Sequence, residues 1–93
     1  MYANVIHERT KFHKSQQKES EAVEEFYRSL RSLITHCQYT DAEEQERDRF
    51  VVGLRDRKVK ERLELTHDLI LTKALEIARQ NEQIKQQNKG AEQ

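Results

Sequence analysis

The chain has 93 residues, with 17 basic and 17 acidic side chains, no proline, two glycines and a single cysteine. One cysteine excludes a disulfide scaffold and a thiolate zinc cluster, and the charge balance argues against strong nucleic-acid binding, which usually needs a net basic surface. A chain this short forms one domain with a small core, which makes association with a partner chain plausible.

The sequence lacks the features of a membrane protein or a secreted one. Its first residues contain no basic stretch followed by an apolar one, as a secretory signal would. No apolar run approaches the ~20 residues that span a bilayer. The cysteine usage fits a reducing compartment. We therefore expect a soluble, cytoplasmic chain without a membrane contact.

Apolar residues recur at helical spacing along the whole chain, and none alternate as in a strand. The first helix is expected to place Val5, Ile6 and Phe12 on one broad face. The second helix has the clearest apolar stripe. Ser20 is expected to be its N-cap. Cys37 is the last residue of the stripe and is expected to be a small buried residue rather than a reactive thiol. The five helices are predicted at about 4–15, 21–37, 41–53, 56–65 and 71–86.

Polar caps mark the ends of the later helices. A capping box begins at Thr40 or at Asp41, because each is followed three residues later by a glutamate. Gly53 is expected to end the third helix in a left-handed conformation. Asp56 can cap the fourth helix, on which Leu65 is expected to face inward.

These elements predict an all-α fold, a compact bundle of about five short helices in one lobe spanning residues 1–82. Residues 83–93 are rich in glutamine and are predicted to be a frayed helix end and a linker towards a following domain. The predicted core consists of Val23, Phe26, Tyr27, Leu30, Leu33, Ile34, Phe50, Leu54, Leu63, Leu75 and Ala78.

Residues 55–62 are the most basic stretch of the chain. One interpretation is a solvated helix face with internal ion pairs. The other is a contact for RNA or another polyanion, which predicts a steeply salt-dependent affinity. Since the chain as a whole carries no net charge, we expect no nucleic-acid partner for this segment.

The chain lacks the combinations of residues that catalytic, phosphate-binding and metal sites require. Two distant glycines cannot form a phosphate-binding loop, and the four histidines do not have the spacing of metal ligands. Adjacent glutamate pairs lie on helix faces where nothing separates their pKa values. We expect no enzymatic activity, no cofactor and no metal ion.

Four segments, in order across about 80 residues, carry a resemblance to a known family. They are QKESEAVEEFYRSL at 17–30, LITHCQY at 33–39, RDRFVVGLRD at 47–56, and KERL at 60–63 followed by KALEIA at 73–78. From about residue 5 to residue 82 the chain resembles the C-terminal capsid domain of Gag from Gypsy-type retrotransposons, which is similar to the retroviral capsid C-terminal domain. The first segment resembles its major homology region, and the third its most specific signature.

The resemblance implies a compact all-helical bundle with a non-enzymatic role. Copies of the chain would associate with one another through dimer contacts within a lattice, and with the N-terminal capsid lobe of the same polyprotein. It also implies a hydrogen-bond network in the homology region formed by Gln17, Glu21 and either Arg28 or Arg31. The expected location is the cytoplasm, within capsid-like particles.

The sequence departs from the family pattern at two places that bear on function. Lys18 stands where the homology region usually has glycine, so that a turn with positive φ would be strained or reshaped. Gln45 and Glu46 stand on the third helix where relatives carry apolar residues, and this polar surface weakens the usual dimer contact. Two candidate self-association surfaces remain, formed by Tyr2, Val5 and Ile6 on the first helix and by Glu44, Gln45, Asp48 and Val52 on the third.

A rival hypothesis is that the chain comes from a host gene derived from Gag. In that case the same helical fold would act as an adaptor or dimerisation domain that recruits a host partner, in the manner of the Gag-derived SCAN domains. Both hypotheses describe a protein-binding module, and they differ in whether the partner is a second copy of the chain or another protein.

Overall fold

The five predicted helices are all present in the computed structural model, which describes residues 4–91 and the side chains of residues 4–85. They are α1 (Val5–His13), α2 (Val23–Ile34), α3 (Ala42–Gly53), α4 (Arg57–Glu64) and α5 (Leu71–Ala91). No strand occurs between residues 4 and 91, and the predicted all-α fold is confirmed. α1 packs on α2 and α2 packs on α3, while α5 packs against α2, α3 and α4.

Aromatic residues from α1, α2 and α3 form the centre of the core. Phe26 and Phe50 stack with their ring centroids 5.8 Å apart, and the Tyr27 ring meets Phe50 edge-on at 6.4 Å. Phe12 and Cys37 are fully buried beside them. Of the predicted core, Tyr27 and Leu33 are partly buried, and the rest is buried as expected: Val23, Phe26, Leu30, Ile34, Phe50, Leu54, Leu63, Leu75 and Ala78.

Ile6 and Leu65 are exposed to solvent. Phe12 is buried and Val5 is half-buried, two helical turns apart, but Ile6 is 79% exposed because it lies about 100° further around α1. Leu65 is 84% exposed because it follows Glu64, the last residue of α4, where the inward-facing stripe has ended. The expectation that Ile6 shares a face with Phe12 and that Leu65 points inward was therefore wrong.

α2 begins at Val23, two residues later than predicted, and Ser20 is not its cap. The backbone N–H of Ala22 instead donates to Glu25 Oε1 at 2.9 Å, and the N–H of Val23 donates to Glu82 Oε2 at 2.9 Å. A carboxylate from α5 thus satisfies an N–H that the start of α2 leaves without a helical partner. Such a long-range cap has no local signal in the sequence.

The expected capping box at the start of α3 does not form. Asp41 is the residue before the helix, but its carboxylate accepts a hydrogen bond from Gln45 Nε2 at 3.1 Å and none from the helix backbone. Asp56 does cap α4, as predicted, since its Oδ1 accepts from the N–H groups of Lys58 at 2.9 Å and Val59 at 3.2 Å.

α5 continues to Ala91, five residues beyond its predicted end at residue 86. Side chains along its length bind the rest of the bundle. Arg79 forms an ion pair with Glu24 on α2, and Lys85 forms one with Asp56 at the start of α4. These two contacts join α5 to α2 and to the start of α4.

Candidate functional site

Gln17 joins the chain before α2 to the junction of α3 and α4. Its buried side chain donates from Nε2 to the carbonyl oxygen of Glu21 at 2.8 Å and accepts from the backbone N–H of Arg55 at 3.1 Å. Its own backbone N–H donates to the carbonyl oxygen of Gly53 at 2.8 Å. The structure therefore brings Gln17 and Glu21 into one network, together with two backbone groups from the segment 53–55.

The turn that contains Lys18 needs no positive φ. The Lys18 N–H donates to Glu21 Oε1 at 3.0 Å, and the Glu21 N–H donates back to the Lys18 carbonyl at 3.1 Å. Arg55 also donates to that carbonyl, from NH1 at 3.0 Å. Within the described residues, positive φ occurs only at Gln38 and Asp68. The turn is thus organised around the Glu21 carboxylate, and Lys18 adopts an ordinary negative φ in it.

The two arginines predicted for this network lie elsewhere. Arg28 is exposed, and Arg31 donates to a tyrosine hydroxyl on its own helix at 2.9 Å. Neither hydrogen-bonds to the network among the described residues. The arginine that donates to the network is instead Arg55, which binds the Lys18 carbonyl. Nearby, Arg49 donates from Nε to the carbonyl oxygen of Ser15, just after α1, at 3.0 Å. Both belong to the RDRFVVGLRD segment, which was the signal that could have identified them.

Gly53 is required for space rather than for backbone conformation. Its φ is not positive, so the predicted left-handed conformation was wrong. A Cβ atom at this position would lie 2.6 Å from Phe26 Cζ and 2.9 Å from the carbonyl oxygen of Ser15. The close approach of these three segments lets the Gly53 carbonyl accept the hydrogen bond from the Gln17 backbone N–H.

The two candidate self-association surfaces lie on different parts of the bundle. On the first, Ile6 is exposed and Val5 half-buried, while Tyr2 lies outside the described residues. On the second, Val52 is 46% exposed and is the apolar centre of the surface. Its polar members are the exposed Glu44 and Asp48 and the half-buried Gln45.

Glu46, expected on the polar surface of the third helix, is buried. Its side chain is 4% exposed, and Oε2 has no hydrogen-bond partner. Burial raises the pKa of this carboxyl group, an effect that Arg31 on α2 partly opposes. The helical spacing of Ala42, Glu46 and Phe50 places Glu46 on the inward face of α3, and this spacing was a signal in the sequence.

Replacing Glu46 with glutamine is expected to raise the free energy of unfolding at pH 7 by about 1 kcal/mol, because burying an unpaired charge costs more than burying an unpaired amide. Because the folded-state pKa lies above the ordinary value of 4.5, the folded protein holds its proton more tightly than the unfolded chain. The contribution of Glu46 to wild-type stability should therefore rise as the pH falls through its folded-state pKa. Urea unfolding from pH 7 to pH 4 measures this.

The matched control for this variant is Glu44→Gln, at an exposed position of the same helix. It should unfold like the wild type at pH 7. The difference between Glu46→Gln and the wild type should shrink towards pH 4. A constant difference across this range would contradict an unfavourable buried charge at Glu46.

The remaining candidate groups offer little chemistry. Burial raises the pKa of the Cys37 thiol, whose Sγ donates to the Leu33 carbonyl at 3.4 Å, so that the thiolate is disfavoured.

In the part of the chain that is described, no group of three or more histidine, cysteine or acidic residues could hold a metal ion. No helix there is long and apolar enough to cross a membrane. In the basic stretch, the side chains of Arg57, Lys58 and Arg62 are exposed.

No protein-family model, curated protein or solved structure matches this chain. The helices and their packing define it as an all-α helical bundle. Its most elaborate polar feature is the Gln17 network, and its exposed large apolar side chains include Ile6, Val52, Leu65 and Ile70.

Proposed function

We propose that this chain is a non-enzymatic structural module of a Gag-type polyprotein, whose copies associate with one another in a capsid-like particle. The observation that carries the proposal is the position of Gln17. It belongs to segment 17–30 and binds Arg55 of segment 47–56, the two segments with the most specific resemblance to the family. Motifs that are distant along the chain thus form one structural unit, which supports their having a common origin in one domain.

The exposed apolar side chains favour self-association. Ile6, Val52, Leu65 and Ile70 are all large, apolar and 46% to 84% exposed in a chain of 93 residues. Burying such side chains against another protein is favourable by about 25 cal/mol per Å² of apolar area. In this proposal the partners are further copies of the chain and the N-terminal capsid lobe of the same polyprotein, in the cytoplasm.

The test uses the two-lobe protein, in which the N-terminal capsid lobe precedes this chain. Sedimentation velocity and electron microscopy at high protein concentration should detect particles. A double variant, Ile6→Asp with Val52→Asp, should fail to assemble because both exposed apolar positions carry a charge.

Ser29→Asp is the matched control, since it adds the same charge at an exposed position of α2. This variant should assemble like the wild type. A two-lobe protein that stays monomeric at every salt concentration would overturn the proposal.

A further inference from the structure

A groove of about 610 Å³ lies between the C-terminal half of α3 and the connection from α4 to α5. The buried side chains of Val51, Leu63 and Leu69 contribute apolar surface to it, and the half-exposed Val52 adds to this surface. Ile70, which follows Leu69 along the chain, is 59% exposed. The groove therefore combines a small apolar floor with polar edges.

The polar residues that line this groove make it acidic. They include one basic residue, Arg47, and three acidic ones, Asp48, Glu64 and Asp68. Arg47 is already engaged, since it forms an ion pair with Asp48 at 3.0 Å and donates from NH1 to the Leu69 carbonyl at 3.0 Å. The charges on Glu64 and Asp68 therefore leave the groove with a negative potential, which favours a partner that is apolar in the centre and basic at the edges.

α1 has this combination of properties. Ile6 is 79% exposed, which makes it the most exposed large apolar side chain on this helix. Residues 4–14 contain three basic side chains and one acidic one, Glu8, which already pairs with Lys11 at 3.2 Å. Arg9, three residues from Ile6, is half-buried and donates from Nε to the Cys37 carbonyl at 2.8 Å and from NH2 to the Gln38 carbonyl at 3.3 Å. Both acceptors are neutral, so Arg9 keeps its charge. Since Lys11 is paired with Glu8, Arg9 and Lys14 leave α1 and the residue that follows it with a net positive charge.

We propose that Ile6 of one copy docks into this groove on a second copy of the chain, with the basic residues of α1 against its acidic edge. The contact rests on the proposed self-association and specifies its two surfaces. α1 packs on α2, whereas the groove lies between α3 and the α4–α5 connection. The contact therefore joins two different surfaces. Such a heterologous contact leaves a free groove and a free Ile6 at the two ends, so that further copies can add.

The experiment compares two single variants of the 93-residue chain, alone and mixed, by sedimentation equilibrium. Ile6→Asp removes the docking side chain and keeps the groove, while Val52→Asp charges the groove and keeps Ile6. The wild-type mass should rise with concentration beyond two copies. Each variant alone should associate about tenfold more weakly or worse, because a buried aliphatic side chain is replaced by a charge.

The mixture distinguishes this contact from a symmetric one. Each variant retains the half that the other has lost, so an equimolar mixture should form a one-to-one complex and stop there. Added salt should weaken the complex, since charge complementarity contributes to it. Either variant associating as well as the wild type would overturn the proposal, and so would a mixture that remains monomeric.

Controls keep these outcomes separate from misfolding and from the broader proposal. Ser29→Asp should associate like the wild type, and circular dichroism should show that all variants are folded. If an aspartate variant unfolds, Ile6→Ala and Glu64→Lys test the same contact, and both should weaken association. If Ile6→Asp associates normally but the two-lobe protein forms particles, the docking contact is wrong and the capsid-like function stands. If no particles form, that function fails.

Discussion

Replacing Gln17 with leucine is expected to lower the free energy of unfolding by about 2 to 3 kcal/mol. The change leaves the Glu21 carbonyl and the Arg55 N–H without their partner, and each such buried group costs about 1 to 3 kcal/mol. We expect the lower part of the combined range because both hydrogen bonds are only partly buried, so that water can reach these groups. Leucine keeps most of the side-chain volume but removes the donor to the Glu21 carbonyl and the acceptor for the Arg55 N–H. Urea unfolding followed by circular dichroism measures the change.

Gln16 offers a matched control, because it is an exposed glutamine next to Gln17. Gln16→Leu makes the same chemical change without removing a buried hydrogen bond, and its stability should stay within about 0.5 kcal/mol of the wild type. Equal stabilities for the two variants would mean that the Gln17 network does not hold the turn before α2 against the α3–α4 junction.

Replacing Gly53 with alanine is expected to lower the free energy of unfolding by about 2 kcal/mol, within the range for overpacking a well-packed core. In an ordinary helical position the same change stabilises by about 1 kcal/mol, since glycine is a poor helix former. The sign reverses here because the new methyl group would lie 2.6 Å from Phe26 Cζ and 2.9 Å from the Ser15 carbonyl oxygen. Thermal and urea unfolding both report the loss.

A double-mutant cycle with Phe26→Leu identifies the clash as the cause. Leucine lacks the distal ring atoms that the Cβ of residue 53 would meet, so Gly53→Ala should cost less in that background, by about 1 kcal/mol. A cost that is the same in both backgrounds would assign the destabilisation to the Ser15 carbonyl alone. A stabilised Gly53→Ala protein would contradict the close approach itself.

The sequence predicted those features that depend on neighbours within one or two helical turns. The apolar stripe of α2 recurs at steps of three and four, so its buried side chains, including Phe26 and Leu30, could be assigned without a structure. Asp56 caps the helix that begins at the next residue, again a local effect. The same reasoning applied to Glu46 would have placed it inward, but its charge favoured an exposed position.

The features that escaped the sequence analysis depend on contacts between distant segments. Arg28 and Arg31 lie close to Gln17 along the chain and were natural candidates for its network, yet the arginine that joins it is Arg55, which is 38 residues away in sequence. The start of α2 is capped by Glu82, which is 59 residues away. Helical periodicity carries no information about which helices meet or at what angle, and these contacts follow from that packing.

The sequence by itself therefore determined the fold class, the number and order of the helices and most of the core, because amphipathic periodicity is a local property of the chain. Only the tertiary structure decided the partners of Gln17, the steric role of Gly53, the burial of Glu46 and the separation of Ile6 from the groove beside Val52. Each of these depends on how close two helices or loops approach, which is set by side-chain packing across the whole bundle.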